Sequence, residues 1–246
     1  FARQGVILAA GGFEWDEKMR RTLLVGQITH PVSPPLCQGD SLRMVSEVGA
    51  ALAYTDESWS WPAREVPGQF WSGGCQPRND LILAERCMPH VIWVNRHGLR
   101  FVNESSHNCA LALASVDSDS NTVRNLPAWA IVDAQYRARY PLGGSDPDSE
   151  LPENVLEAAN LDVLARKTGV DGYGLRQTVK RFNAMVEKGR DDDFQRGESA
   201  YERHYGDPRA ESPSLGTIEE PPFFAMPVRL GAVGTKGGAC TDERAR

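Results

Sequence analysis

Short continuous apolar runs bounded by turn formers divide the chain and predict its strands. Gly5 to Ala10 (GVILAA) has the pattern of a strand buried on both faces of an α/β sheet, and Gly11-Gly12 ends it. That glycine pair is either plain turn chemistry or a place where backbone meets a nucleotide at the carboxyl end of a strand. Val91 to Asn95 (VIWVN), a turn at Arg96-His97-Gly98 and Leu99 to Asn103 (LRFVN) read as a hairpin, and Glu104 to Asn108 as a polar loop leaving its second arm. Trp129 to Val132 predicts another strand, and Ala50 to Tyr54 a further one. After Pro221-Pro222, Phe223 to Val228 is an apolar extended run. Gly231, Gly234, Gly237 and Gly238 then predict a tight turn around Thr235 and Lys236, with or without a ligand at its backbone.

Helical periodicity is confined to three stretches. Leu42, Val45 and Val48 are spaced as one face of a helix stopped by Gly49, with Asp40 either its cap or a contact to a ligand hydroxyl. Asn160 caps Leu161 to Thr168 ahead of Gly169, and Leu175, Val179, Phe182 and Val186 form one stripe of a helix that Gly189 ends. Arg190 to Asp193 reads as solvated surface, and Arg196 to Pro208 as a polar, Tyr-bearing stretch. Between Ser58 and Gly74 periodicity fails, Trp59, Trp61, Pro62, Pro67, Phe70, Trp71 and the Gly73-Gly74 pair crowd together, and a crossing between domains is expected.

Composition narrows the partners. A chain of 246 residues can bury a sizeable core, and a net charge of -6 lacks the basic face that a general nucleic-acid or anionic-membrane binder needs. Small molecules are the expected partners. The five cysteines, at 37, 75, 87, 109 and 240, are scattered without a C-x-x-C pair, so neither a disulfide framework nor a zinc site is predicted, and a reducing, cytoplasmic setting fits. No apolar run reaches the ~18 residues of a membrane span. Phe1 in place of a start methionine, and an opening run that reads as the middle of a strand, lead us to expect an excerpt of a longer protein.

Several blocks in fixed order carry a resemblance: GVILAAGGFE (5 to 14), QGDSLRMVSEVGAAL (38 to 52), HGLRFVNES (97 to 105), DDDFQRGESAYERHYGDP (191 to 208) and PPFFAMPV with GTKGG and TDERAR (221 to 246). Together they resemble the flavoprotein family of fumarate reductase, succinate dehydrogenase and 3-ketosteroid dehydrogenase, across nearly the whole chain. DESWSWP (56 to 62), RGESAYERHYGDP and GTKGG resemble the steroid branch. The resemblance implies an α+β fold in which a cap, or catalytic, domain is inserted in part of a Rossmann-like FAD-binding domain. The FAD domain would hold residues 1–64 and 235–246, and the cap residues 65–234. Ala9, Gly11, Gly12, Gly39, Asp40, Thr235, Gly237 and Gly238 fall at positions that line FAD in that family. The family's first strand and G-x-G-x-x-G turn do not occur here, nor does its C-terminal flavin segment.

The expected reaction is FAD-dependent dehydrogenation of 3-ketosteroid-dehydrogenase type, with hydride passing between a ring-ketone carbon and flavin N5 while a protein group exchanges the neighbouring proton. The family's catalytic Tyr falls at Asn108, which cannot titrate, and leaves His107 as the nearest group able to exchange a proton. One alternative is a fumarate-reductase-like reductase of a small unsaturated acid. The family's His before a Pro-Thr pair falls near Trp61, however, and Val233-Gly234 replaces its two His; Trp59, Trp61, Phe70, Trp71 and Phe224 suit a flat apolar substrate better. A non-catalytic paralogue is the other alternative.

Overall fold

The computed structural model describes residues 3–26, 28–71, 74 and 76–246. Helix α1 (Glu17–Leu23) starts at Asp16, whose carboxylate accepts from Met19 N at 2.7 Å. Then come β1 (His30–Pro31), α2 (Asp40–Glu47), β2 (Leu52–Ala53), β3 (Ser58–Phe70), β4 (Pro77–Leu81), a 3-10 turn (Glu85–Cys87) and β5 (Val91–Val94). A short helix α3 (Ala110–Leu113) and a two-stranded ribbon of β6 (Val116–Asp117) and β7 (Thr122–Val123) lead to β8 (Ala128–Val132) and α4 (Ala134–Arg137). The rest is β9 (Leu156–Ala158), α5 (Leu161–Thr168), α6 (Gly172–Glu187), α7 (Ala200–Tyr205), β10 (Phe223–Thr235) and β11 (Gly238–Ala239).

Among the described residues, one sheet of seven strands runs β4-β3-β10-β8-β5, with β1 and β9 also paired to β10. The first half of β10 pairs antiparallel with β8 (Phe224 opposite Val132) and with β9 (Phe223 opposite Ala158). Its second half pairs antiparallel with β3 (Arg229 opposite Ala63) and parallel with β1 (His30 opposite Gly231). The apolar run therefore does not end in a turn at Gly231. The strand continues to Thr235, because a Cβ on Gly231 would lie 2.6 Å from His30 O and 2.7 Å from the Ala63 Cβ, so glycine is what lets three strands meet there.

Both faces of the β5, β8 and β10 region are covered, which explains runs without alternation. Trp93, Ala130, Val132, Phe224 and Met226 pack with Tyr136, Tyr140 and Leu142 on one side. Ile92, Val94, Ile131, Phe223 and Ala225 pack on the other against Leu164, Leu175, Val179 and Phe182 of α5 and α6. Those helices form as the sequence predicts: Asn160 Oδ1 accepts from Val163 N at 2.9 Å, and Gly169 closes α5 in the left-handed conformation.

Five expectations fail. Gly5 to Ala10 is exposed and forms no strand; no strand or helix among the described residues covers Val6 (74 % exposed) or Ile7 (94 %). The turn at Asn95 to Gly98 is present, yet Leu99 to Asn103 is not a strand. Its place in the ladder is taken by a side chain, since Trp93 N donates to Glu104 Oε1 at 2.9 Å. Glu104 and Ser105 are wholly buried rather than part of a polar loop, and Asp191 is buried rather than solvated. Asp40 opens α2 without capping it; Gly39 is the cap residue, and Asp40 pairs with Arg43 at 3.1 Å.

A buried charge network accounts for the lost hairpin arm and for the burial of Glu104 and Asp191. Arg100 donates to Glu104 through Nε and Nη2, both at 2.9 Å, and to Asp191 at 2.8 and 3.1 Å, with its guanidinium over the Phe182 and Phe194 rings. Arg196, fully buried, reaches Glu104 at 3.3 Å and the carbonyl of Met88 at 2.7 Å. Burial alone would raise the Glu104 carboxyl, but the charges and hydrogen bonds of Arg100 and Arg196 outweigh it and hold it below its ordinary range. No helix among the described residues is long and apolar enough to cross a membrane. Cys37, Cys87, Cys109 and Cys240 are free thiols, while Cys75 and Gly73 lie outside the described residues.

Candidate active site

The chain brings part of the expected cofactor set to one place. Gly39 N donates to Gly12 O at 2.9 Å, Phe13 N donates to Thr235 Oγ1 at 3.3 Å, and Ala10 N donates to Ser41 Oγ at 3.1 Å. Gly11 and Gly39 take positive φ (78° and 82°), and a Cβ on Gly12 would collide with Thr235 Oγ1 and Glu14 Oε2. Gly11, Gly12, Gly39 and Thr235 are thus assembled, with Ala9 on the exposed run leading in. Gly238 belongs to the neighbouring pair of β11 and β2, opposite Ala53, where a side chain would meet open space, and Gly237 lies just before it against the Tyr54 carbonyl. Asp40 points its carboxylate at Arg43 instead.

Two members of this cradle were not singled out from the sequence, Ser41 and Glu14. Glu14 is 1 % exposed, and its Oε1 accepts from Ser33 Oγ at 2.5 Å while Oε2 has no hydrogen-bond partner among the described residues. A buried carboxylate oxygen without a donor calls for a hydroxyl or amide from a ligand or another segment. Bare glycine backbone, two hydroxyls and this orphaned oxygen fit the close approach of a flat ring bearing a polyol, as FAD does.

From Thr235 a row of aromatic side chains leads away along β3. Trp59 and Trp61, two apart, share a face. Lys236 Nζ lies 4.9 Å over the Trp59 ring and 3.1 Å from Glu57 Oε2, and Trp59 is 62 % exposed. The Trp61 ring meets the His107 ring edge-on (centroids 5.1 Å, 85°), and His107 meets Tyr201 in the same manner (5.3 Å, 82°). Asn108 Oδ1 is 3.3 Å from His107 Nδ1, and both residues are exposed. Phe224, by contrast, is core, and Phe70 sits at the far end of β3.

Behind the row stands Arg86, 1 % exposed. It donates to the carbonyls of Glu104 (2.7 Å) and Ser106 (2.8 Å), which fixes the loop carrying His107, and to Tyr201 Oη at 3.1 Å. Burial raises the Tyr201 hydroxyl above its ordinary range against the opposing charge of Arg86, so it stays a phenol at neutral pH. Arg86 and Tyr201 escaped the sequence reading. The signal available was Ser199-x-x-Glu202, a capping pair: Glu202 N donates to Ser199 Oγ at 3.2 Å and starts the helix that puts Tyr201 and Tyr205 on one face.

Comparison with known proteins follows the same lines. Residues 1–246 match the FAD binding domain family. The chain is 41 % identical to 4-oxocyclohexanecarboxylate 2-dehydrogenase of Sinomonas cyclohexanicum, over all of this chain and 43 % of that protein. It is 38 % identical to 3-oxosteroid 1-dehydrogenase of Mycolicibacterium smegmatis, over all of this chain and 44 % of that one. The crystal structure of 3-ketosteroid delta1-dehydrogenase from Sterolibacterium denitrificans superposes with a TM-score of 0.89 at 35 % identity, covering 99 % of this chain and 44 % of that one. The chain spans less than half the length of these relatives. With glycine cradle, aromatic row and full-length match in agreement, the chain belongs to the FAD-binding flavoprotein family that includes the 3-oxosteroid dehydrogenases.

Proposed function

We propose that the protein containing this chain is an FAD-dependent dehydrogenase acting on the CH–CH bond beside a ring ketone. The observation that carries this reading is the row Trp59, Trp61, His107 and Tyr201, aromatic rings set edge-on that lead from Lys236, next to Thr235 of the glycine cradle, to an imidazole. Relatives that act on a cyclohexanone acid and on 3-oxosteroids share the ring ketone. Bound FAD supplies the hydride acceptor. Gly11, Gly12, Gly39, Thr235 and the hydroxyl of Ser41 would hold it, with Glu14 Oε2 taking a hydroxyl. His107 would take the proton next to the carbonyl, Asn108 would orient the imidazole, and Trp59 and Trp61 would exclude water from one face of the ring.

In this reading residues 1–64 and 235–246 belong to the FAD-binding body and 65–234 to an inserted cap. The side-by-side pairing of β3 and β10, from Ala63 opposite Arg229 to Ser58 opposite Thr235, supports it, since two strands then make the crossing together. A small dicarboxylate substrate is less well served: it calls for guanidinium forks, and Arg86, the cation behind His107, is bonded to protein through all three of its nitrogens.

The test is anaerobic titration of the full-length flavoprotein with a 3-ketosteroid, with 4-oxocyclohexanecarboxylate and with fumarate. We expect bleaching of the flavin absorbance by a ring ketone and no reoxidation of the reduced protein by fumarate. Reoxidation by fumarate alone would replace this reading with the reductase one. A flavin that answers to none of them would leave a binding paralogue.

A further inference from the structure

Away from the aromatic row, the start of β1 carries a chain of hydrogen bonds that ring-ketone chemistry does not use. His30 Nε2 lies 2.8 Å from Glu65 Oε1, and His30 Nδ1 lies 2.6 Å from Thr29 Oγ1. The Glu65 carboxyl is held below its ordinary range, first by the hydrogen bond from His30, and is ionised at neutral pH. A carboxylate only accepts, so Nε2 carries the imidazole hydrogen. Nδ1, left bare, accepts the hydrogen of the Thr29 hydroxyl. Burial keeps the imidazole below its ordinary range against the opposing pull of Glu65, so it stands as a free base at neutral pH. Hydroxyl, base and orienting carboxylate follow one another in the order that activates an alcohol as a nucleophile.

Backbone pairing fixes the first two. Thr29 N donates to Leu230 O at 3.1 Å, His30 lies opposite Gly231, and the buried Asn79 donates to Pro31 O at 3.0 Å. Beside them opens a cavity of about 520 Å³, within the size range of small-molecule sites, with Trp15, Pro31, Pro67, Phe70 and Pro77 among its walls. Arg20 borders the same cavity as Thr29 and is anchored by its own bond from Nη1 to Glu14 O at 2.7 Å.

We propose that Thr29, His30 and Glu65 form a second reactive site, a nucleophile, base and orienting acid that hydrolyse carboxylic esters with a short apolar acyl group. Thr29 Oγ attacks the ester carbonyl carbon as its proton passes to His30 Nδ1, and the carbonyl pair moves onto oxygen, on the side of the Arg20 cation. That pair returns, the bond to the alcohol oxygen breaks, and the alcohol leaves with the proton from Nδ1. Water, giving its proton to the same nitrogen, attacks the acyl-threonine, and the acid departs as Thr29 regains its hydrogen. Ester and water become acid and alcohol, and no oxidant is needed. Glu65 acts through His30 by fixing its tautomer and facing the imidazolium on the other side.

The full-length flavoprotein is mixed with p-nitrophenyl butyrate, nitrophenolate release is followed by absorbance, and the acylated peptide is mapped by mass spectrometry. A butyryl group on Thr29 and a first-turnover burst are expected. Thr29→Val, of the same shape without the hydroxyl, should slow release by roughly 10²-fold or more, while flavin content and flavin reduction by a ring ketone stay as they were. Thr29→Ser should retain the burst. The charges bearing on His30 are Glu65 of β3, Arg229 of β10 and Arg20 of α1. In Glu65→Gln the two cations remain unopposed, so the acid limb of the rate profile should move to lower pH as the plateau falls. Wild-type release by Thr29→Val, an acyl group mapped to another residue, an unmoved limb in Glu65→Gln or a wild type that releases no nitrophenolate overturns the proposal. Should Thr29→Val fail to fold, the mapped position of the acyl group on the wild type decides it.

Discussion

At position 108 an amide stands where the family resemblance leads one to expect a phenol, and its neighbour His107 carries the titratable nitrogen. On the function proposed above, the contact between them makes Asn108 a positioning residue, which gives a direct expectation for Asn108→Asp. A carboxylate facing Nδ1 stabilises the imidazolium, so the acid limb of the flavin-reduction pH profile should move to higher pH, while Asn108→Ala should lower the rate without that displacement. An unmoved limb in Asn108→Asp would show that the two side chains do not communicate. His107 and Asn108 were legible because they sit in a short block that resembles a known one. Arg86 and Tyr201 were not, for their significance lies in meeting each other across a long sequence separation, and an isolated Arg or Tyr in a polar stretch carries no sign of its partner.

Elements that organise themselves locally were read well. In α5 and α6 cap, stripe and stop lie within one stretch, and β5 and β8 are continuous apolar runs. Elements that depend on distant partners were not. Glu104 takes the ladder position beside Trp93 only because Arg100 and Arg196 neutralise it there, and the second hairpin arm is lost as a consequence. The glycines of β10 were read as a turn, since glycine's usual reason is local, whereas here His30 and Ala63 supply it. Gly231→Val therefore tests the strand assignment. Added carbon at the junction of β1, β3 and β10 must displace main chain, and a loss of about 2 kcal/mol or more in unfolding free energy is expected from urea titration, against little change if residue 231 lay in an open turn. The same distinction explains Gly5 to Ala10, whose composition is that of a buried strand while no strand among the described residues pairs with it.

At the scale of the whole molecule, the Arg100, Glu104, Asp191 and Arg196 network fastens the 100–104 segment, α6 and the 191–196 segment together, and it makes stability depend on pH. Glu104 and Asp191 both titrate below their ordinary values of 4.5 and 3.8: burial pushes each up, and the guanidinium partners more than reverse it. A group depressed in the folded state adds stability that is fully present above its unfolded value and disappears as pH falls through its folded one. The melting temperature should thus hold from pH 7 to about 5 and fall steeply below about 4. Glu104→Gln should lose roughly 3–5 kcal/mol at pH 7, because Arg100 and Arg196 remain buried with too little charge to face, and its acid dependence should be shallower. Equal melting temperatures of the two proteins at pH 7 would refute that account. The placement of β10 has one more consequence, and it concerns how the chain is made. This central strand follows β1, β3, β8 and β9 in the sequence, and it is the one on which all four converge, His30 waiting for Gly231 and Val132 for Phe224. Until it emerges, those strands present open edges to every other nascent chain nearby, so the growing chain must be kept apart from its neighbours until this one strand arrives to close the sheet.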